Sequence, residues 1–168
     1  MKIRFVTPDD DLQAISRIYE QSWKYAYKGI IPQEFLDSIP PGKWAKTISS
    51  GSMQSLVIEE DGVLVGTAGI CTSRWEKYSG YGEIVSIYLL PEYMGRGYGK
   101  PLFDRCVSEL RKLGFSDILL WVLEDNKRAR HFYEKNGMIC TDEFLDDEIG
   151  GRKLREVMYV LHTDNTGE

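Results

Sequence analysis

The feature of this sequence that most constrains its fold is a glycine-rich segment joining an apolar strand to an amphipathic helix. Residues 91–100 carry glycine at three alternate positions. They follow residues 83–90, which are apolar enough to form a strand buried on both faces. They lead into residues 100–113, whose apolar side chains recur at helical spacing. The pattern predicts a central strand, a tight turn and a helix in direct succession.

The same segment is suited to binding an anion. Glycine lets successive backbone N–H groups converge on a ligand, and a helix N-terminus carries a partial positive charge. Arg96 and Lys100 add formal positive charge beside these groups. A diphosphate therefore fits the segment, and the alternative interpretation is a strand-to-helix turn that binds nothing.

The spacing of the glycines excludes two familiar phosphate ligands. A Walker loop requires a hydroxyl residue directly after its Gly-Lys pair, whereas Pro101 follows Gly99 and Lys100. A dinucleotide fingerprint requires G-x-G-x-x-G and an acidic residue ~20 positions further on. Here the spacing is G-x-G-x-G, and Leu119 and Leu120 occupy the place of the acid. ATP hydrolysis and NAD binding are not expected.

The rest of the pattern predicts one domain over residues 1–168 that combines strands with helices. Predicted strands span residues 2–6, 55–60, 63–71, 83–90, 117–122, 138–144 and 154–161. Predicted helices begin near residue 12 and span 43–50, 100–113 and 126–136, with a short helix ending before the prolines at 40 and 41. The Asp61-Gly62 pair predicts a hairpin. An acidic loop is expected at 146–151, and the polar tail 162–168 is expected to fray.

Composition limits the classes of protein to which the chain can belong. With 168 residues, 42% of them hydrophobic, and three cysteines, it fits one ordinary soluble domain rather than a disordered or disulfide-rich chain. The 26 acidic residues against 21 Lys and Arg disfavour nucleic acid as a partner. Neither a membrane span nor a secretory signal is apparent, so a cytoplasmic location without membrane contact is expected. The cysteines and the two histidines share no metal-ligand spacing, so no metal is expected.

Two separated motifs resemble the GNAT family of N-acetyltransferases. Residues 87–99 resemble the family's acetyl-CoA loop, whose signature is Arg/Gln-x-x-Gly-x-Gly/Ala, except that Met94 replaces the usual Arg or Gln. Residues 126–137 resemble the family block N-x-x-A-x-x-F-Y-x-x-x-G. The resemblance implies an α+β fold with a mostly antiparallel mixed sheet of about 6–7 strands and about four helices. Within that sheet the strands near 81–90 and 117–122 would be parallel and splay apart.

The resemblance also implies acetyl-CoA as cosubstrate and names the residues that would bind it. These are Leu89, Leu90, Met94, Gly95, Arg96, Gly97, Tyr98, Gly99, Lys100 and Asn126. Asn126 also suits the N-cap of a helix, a role that needs no cofactor. A backbone N–H near Leu89, freed by a strand bulge, would donate to the developing oxyanion. The basic residues Lys127, Arg128 and Arg130 are left unassigned between the 3′-phosphate and a solvated helix face.

Two side chains are candidates for proton transfer. An alkyl amine arrives protonated at neutral pH, so a carboxylate beside the acceptor pocket would help to generate the nucleophile. Glu83 is the candidate base, since the same Glu-Ile-Val run carries the base in the histone-acetylating branch of the family; the alternative is a solvated glutamate at a strand end. Tyr133 is the candidate acid for the leaving thiolate, and the alternative is an aromatic core residue.

The sequence also predicts where the acceptor amine binds. Its pocket is expected from residues 23–35, 75–81 and 146–148, which combine aromatic and acidic side chains. The first hypothesis is direct transfer to a small amine or a peptide amino group in a ternary complex. The alternative is an acyl-CoA-binding regulatory or partner-binding domain with little transferase activity. A homodimer is compatible with the resemblance, but no pattern in the sequence specifies one.

Overall fold

The computed structural model describes residues 1–163 of the chain, and within them seven strands form one sheet accompanied by five helices. The strands are β1 (Lys2–Phe5), β2 (Gln54–Glu60), β3 (Val63–Thr72), β4 (Gly82–Leu89), β5 (Ile118–Leu123), β6 (Ile139–Ile149) and β7 (Arg152–Leu161). The helices are α1 (Leu12–Ala26), α2 (Gln33–Asp37), α3 (Ala45–Ser49), α4 (Gly99–Lys112) and α5 (Lys127–Lys135). The sheet order is β1-β2-β3-β4-β5-β7-β6, and only β4 and β5 are parallel neighbours. The predicted α+β architecture is confirmed, with the five helices that the sequence pattern predicts and one more than the resemblance implies.

Local sequence signals account for several of these boundaries. The Asp61-Gly62 pair forms the predicted two-residue hairpin between β2 and β3, and both residues have positive φ, 50° and 78°. The side chain of Asp11 accepts a hydrogen bond from the N–H of Gln13 (2.9 Å) and caps α1. The glycine after α4, Gly114, has φ 95°, a conformation that ends a helix without steric cost.

The helices divide between the two faces of the sheet. On the α4 face, Leu102 and Leu110 of α4 pack against Ile84 and Leu120 of the sheet, and α5 adds Phe132 to the edge of this core. On the opposite face, which we call the α1 face, α1, α2 and α3 cover the sheet. A ligand that passes through the sheet would therefore contact different helices at its two ends.

β4 and β5 separate soon after they begin. Their pairing is limited to Gly82 with Ile118 and Glu83 with Leu119, although both strands continue. Along the pairing with β3, the register shifts by one residue so that Val85 is extra on β4. A bulge bends its strand, and this one lies two residues after Glu83, the last residue of β4 that pairs with β5, so it accounts for the separation of the two strands. The predicted splay is confirmed, but the bulge lies at Val85 and not near Leu89.

The acidic segment 146–151 is not a loop, contrary to expectation. β6 and β7 continue as a hairpin up to a turn at Gly150 and Gly151. The carboxylate of Asp146 pairs with Arg155 on the neighbouring strand (2.7 Å), and Glu148 lies opposite Lys153. Cross-strand pairs of opposite charge stabilise strands that carry little apolar surface, which explains why hydrophobic alternation did not reveal them.

The first two residues of the tail that is expected to fray have hydrogen-bond partners in the segment before β5. Nδ1 of His162 lies 2.7 Å from Asp117, and the N–H of Thr163 donates to the carbonyl of Ser116 (3.0 Å). The rest of that expectation, residues 164–168, lies outside the described residues. In residues 1–163 no helix is both long and apolar enough to cross a membrane.

Candidate active site

A cavity of about 620 Å³ opens where β4 and β5 separate. Its walls come from residues 84–89 of β4, residues 120–123 of β5, the glycine-rich segment, α5 and the second half of α1, together with Ile149 and Glu156 of the β6–β7 hairpin. The cavity therefore runs through the sheet and joins the α4 face to the α1 face.

The glycine-rich segment forms the rim of this cavity on the α4 face. Gly95 and Gly97 have φ of 72° and 88°, and no atom lies within 4 Å of the position that a Cβ would occupy on either residue. No side chain of residues 1–163 caps α4, whose N-cap residue is Tyr98. The N-terminal amides of a 14-residue helix, worth about half a positive charge, are thus available beside an open backbone.

Gly99 is required for a different reason, close packing. A Cβ at this position would lie 3.2 Å from the ring of Phe132 on α5, tighter than an ordinary contact. The absence of a side chain lets the start of α4 approach α5 at the residue adjacent to Tyr133.

The predicted cofactor residues are only partly in the cavity wall. Leu89, Met94, Gly95, Gly97, Gly99, Lys100 and Asn126 line it. Leu90 packs against the core of the α4 face. The ring of Tyr98 stands edge-on to Tyr93 (5.4 Å), and the guanidinium of Arg96 lies over the ring of that same tyrosine (5.4 Å). The ammonium of Lys100 is paired with Asp104 (2.7 Å).

Arg128 of α5 lies beside Met94, the loop position at which the signature usually has Arg or Gln. Its guanidinium contacts the sulfur of Met94 (3.4 Å), lies over the ring of Tyr25 (5.9 Å) and lines the cavity. A cation carried by α5 therefore stands beside the position at which the loop motif would carry its own. Asn126 both lines the cavity and caps α5, because its side chain accepts from the N–H of Ala129 (3.2 Å).

The backbone of β4 directs one amide into the splay. Leu90 donates its N–H to the carbonyl of Val65 on β3 (2.9 Å). Neighbouring residues of an antiparallel strand turn their N–H groups to opposite sides, so the N–H of Leu89 is directed away from β3 and into the gap. The divergence of β5, and not a bulge at this residue, leaves the amide facing the cavity.

Tyr133 lies in the cavity wall with its hydroxyl free of hydrogen bonds within residues 1–163. Its ring packs against Phe103 (6.4 Å) and Tyr159 (6.2 Å), which fix its orientation. Burial raises the pKa of the phenol, and the neighbouring Tyr88 adds to this effect. The hydroxyl consequently keeps its proton across the neutral range and is available as a donor.

Glu83 is placed differently from its predicted role at the acceptor. The residue is 1% exposed and does not line the cavity. Both carboxylate oxygens accept hydrogen bonds from Arg74, from its backbone N–H (3.0 Å) and from its guanidinium (2.7 Å). The carboxylate therefore joins the end of β3 to the start of β4, and both of its oxygens are occupied.

A second carboxylate, Glu156 on β7, does line the cavity. It makes no hydrogen bond within residues 1–163, and burial raises the pKa of its carboxyl group. The sequence carried a signal for it, since Leu154, Glu156 and Met158 share one face of β7 by alternation and both neighbours are buried. A carboxylate at a position that alternation reserves for an apolar residue marks a site.

The aromatic residues of α1 and β4 form the wall opposite β7. The indole N–H of Trp23 donates to the hydroxyl of Tyr88 (3.1 Å), and the hydroxyl of Tyr27 lies 3.3 Å from the same oxygen. Of the segments expected to form the acceptor pocket, 23–35 contributes Trp23, Ala26, Tyr27 and Ile31, whereas 75–81 and 146–148 contribute no lining residue. Within residues 1–163, no cluster of His, Cys, Asp and Glu could hold a metal ion.

Comparison with known proteins gives consistent results. Residues 12–138 match the model of the Acetyltransferase (GNAT) family. The chain is 27% identical to the L-amino acid N-acyltransferase MnaT of Escherichia coli, over 100% of this chain and 97% of that protein. It is also 27% identical to the spermidine N(1)-acetyltransferase of Thermoplasma acidophilum, over 86% of this chain and 92% of that protein. The structure of yncA, a putative acetyltransferase from Salmonella typhimurium with acetyl-CoA, superposes with a TM-score of 0.73 at 22% identity, covering 100% of this chain and 96% of that one.

Proposed function

The chain belongs to the acetyltransferase (GNAT) family, as its two motifs predict, and on that premise we propose that it transfers the acetyl group of acetyl-CoA to a primary amine. The acceptor is a small molecule or a peptide amino group, and it attacks the thioester directly in a ternary complex. The observation that carries the proposal is the convergence of three groups on one cavity: the amide of Leu89, the hydroxyl of Tyr133 and the uncapped N-terminus of α4.

Acetyl-CoA fits the residues on the α4 face. The open backbone at Gly95 and Gly97 and the N-terminal amides of α4 are suited to its diphosphate. Arg128 supplies the cation that Met94 does not. Asn126 and the edge of β4 lie along the path from this rim to the splay, which suits the pantetheine arm.

Each step of acyl transfer then has a group in the cavity. The thioester supplies an activated acetyl group. The N–H of Leu89 stabilises the negative charge that develops on the carbonyl oxygen. The hydroxyl of Tyr133 donates to the departing sulfur. The assignment of Glu83 as base stays a prediction from the resemblance, and for that role Arg74 would have to release the carboxylate.

The test measures acetyl-CoA-dependent thiol release with pooled polyamines, amino acids, aminoglycosides and peptides. We expect one pool to raise the rate in the native protein and Tyr133→Phe to lower kcat about 100-fold, with less than threefold change in the acetyl-CoA Kd measured by calorimetry. Tyr25→Phe is the matched control, since it removes a hydroxyl from an exposed tyrosine.

Two results would count against the proposal. Unchanged turnover in Tyr133→Phe removes this residue as the acid. If no pool exceeds the background rate while acetyl-CoA still raises the melting temperature, the chain is an acyl-CoA-binding domain without transfer.

A further inference from the structure

We propose that Glu156 receives the ammonium group of the acceptor, and that the acceptor is therefore a primary amine with no carboxylate on the carbon next to its nitrogen. The inference rests on the proposed function and narrows its substrate class. The relatives are named for an amino acid and for a polyamine, so their names do not decide between the two.

The first argument is that the Glu156 carboxylate has no partner within the protein. It lies on β7 between the buried residues Leu154 and Met158 of the same face, opposite Leu123 of β5. No side chain or backbone N–H in residues 1–163 bonds to it. Removing a carboxylate partly from water without a partner costs free energy. A cationic ligand that enters the cavity would supply the charge partner that residues 1–163 do not provide.

The second argument is the chemistry of the facing wall. The Tyr88 hydroxyl accepts a hydrogen bond from Trp23 and pairs with the hydroxyl of Tyr27. The rings of Trp23 and Tyr27 meet edge-on at 4.9 Å. Aromatic faces and hydroxyl oxygens both attract an alkylammonium group, and they stand across the cavity from the carboxylate.

The third argument is the distribution of charge along the cavity. The basic residues in its wall all belong to α4 or α5, on the side of the proposed cofactor: Lys100, Arg128, His131 and Lys135. On the α1 face the charged lining residue within residues 1–163 is Glu156. Asp147 adds further negative charge nearby, and Arg74 bonds to Glu83. The carboxylate of an amino acid would meet the like charge of Glu156 there, and no Lys, Arg or His of residues 1–163 lines that end of the cavity; Arg152 bonds to the carbonyl of Ile30.

The surroundings also suit Glu156 to accept a proton. Burial is the main cause that raises the pKa of its carboxyl group, Asp147 of β6 raises it further, and Arg74 opposes both. From α1 and β4 it faces the neutral phenols of Tyr27 and Tyr88, whose own pKa values are raised by burial. A carboxylate whose pKa lies nearer to neutrality is a stronger base at neutral pH.

The protons balance as follows. The ammonium nitrogen transfers one proton to Glu156, which passes it to solvent. The free amine forms the C–N bond, and the C–S bond breaks. The sulfur takes the proton of Tyr133, and Tyr133 recovers a proton from the nitrogen as the amide forms.

The experiment compares acceptors that differ only by the carboxylate and that carry a single primary amine: tyramine with tyrosine, 3-methylbutylamine with leucine and agmatine with arginine. With acetyl-CoA saturating, we expect kcat/KM for at least one amine to exceed that of its amino acid by at least about tenfold. Equal or greater turnover of the amino acid in every pair that reacts overturns this inference and leaves the proposed function intact. If neither member of any pair reacts and the broader amine pools fail as well, both proposals fall.

A pair of variants tests the residue itself. We expect the rate of the native protein to rise with pH below neutrality as Glu156 loses its proton. We expect Glu156→Gln to lower kcat/KM for the preferred amine about 100-fold and to remove that rise. Glu124→Gln is the control, since it makes the same change in charge at an exposed residue outside the cavity wall. A native rate and pH profile in Glu156→Gln, with a native melting temperature, overturns the assignment.

Discussion

Glu83 and Glu156 lie on the same face of the sheet, yet their carboxylates have different surroundings. Glu83 is enclosed and bonded to Arg74, whereas Glu156 faces the cavity and bonds to nothing within residues 1–163. The oxygens of Glu83 already accept hydrogen bonds from Arg74, whereas those of Glu156 are open to a ligand in the cavity. At the scale of single residues, Glu83 therefore links β3 to β4 through Arg74, whereas Glu156 is placed to contact a ligand.

Glu83→Gln tests this separation. The amide keeps the shape of the side chain but removes the charge that faces Arg74, which is itself 57% exposed and so partly screened. We expect the free energy of unfolding to fall by about 1–2 kcal/mol, measured by urea denaturation, and kcat/KM to fall less than tenfold with an unchanged pH profile. Loss of the acid limb of that profile, with Glu156→Gln unaffected, would instead identify Glu83 as the base.

Some of the site residues could be predicted from the sequence and others could not. Tyr133, Asn126 and the glycines belong to local motifs, so their neighbours along the chain identify them. Glu156 could have been found by alternation on β7, but the cavity it faces exists only because two distant strands separate. Arg74 follows β3 in an irregular segment, where no periodicity indicates its partner.

At the scale of elements, the junction between β4 and α4 holds the proposed diphosphate site. Gly97 is the position at which a side chain would project into open space beside the uncapped helix N-terminus. Gly62, in the β2–β3 turn, has a similar positive φ (78° against 88°) and equally open surroundings. Replacing either glycine by a residue with a side chain therefore causes similar backbone strain, but only at Gly97 does the side chain adjoin the N-terminus of α4.

We expect Gly97→Glu to weaken acetyl-CoA binding more than about 100-fold, because a carboxylate would occupy the place of the diphosphate and repel it. Gly62→Glu should bind as the native protein does, although both variants are strained by about 1–2 kcal/mol at positive φ. Calorimetric titration with acetyl-CoA checks both variants. Native affinity in a folded Gly97→Glu variant would place the diphosphate elsewhere.

Elements with apolar periodicity were predicted well, and those held by charge were not. The amphipathic pattern located α4 to within one residue at each end. Both strands of the β6–β7 hairpin were predicted, but its outer half was taken for a loop because charged cross-strand pairs such as Asp146 with Arg155 stabilise it. The bulge at Val85 leaves no mark in hydrophobicity, since it depends on the register of β3 against β4.

At the scale of the whole molecule, a charged cluster joins the first strand to the first helix. Arg4 of β1 forms two hydrogen bonds of 2.8 Å with Asp10, which also accepts from the N–H of Thr7 (2.7 Å), and Arg4 reaches Glu59 of β2 (3.1 Å). The hydrogen bonds from Arg4, and then those from Thr7, hold the pKa of the Asp10 carboxyl well below its usual range. The cluster thus stabilises the fold only while Asp10 is ionised.

The sign of the pH dependence follows from this lowered pKa. The unfolded chain binds a proton at Asp10 more readily, so the stabilisation is complete above the unfolded pKa of about 3.9 and is lost as the pH falls toward the folded value. We expect Asp10→Asn to lower the free energy of unfolding by about 2 kcal/mol at pH 7 and by progressively less below about pH 4. Urea denaturation across this range, with the exposed Asp9→Asn as control, checks it. A difference independent of pH would contradict the assigned cause.

The extra residue in β4 also has a genetic consequence. Val85 has no partner on β3. The bulge exists because β4 has one residue more than β3 in this stretch, whatever side chain stands at position 85. Every missense change at this position preserves that count, so single-nucleotide substitution does not restore a regular ladder. In-frame loss of one codon here, or gain of one codon in the facing part of β3, could do so. Single-nucleotide substitutions, the commonest kind of mutation, therefore leave the opening between β4 and β5 in place, whereas a much rarer in-frame codon change could close it.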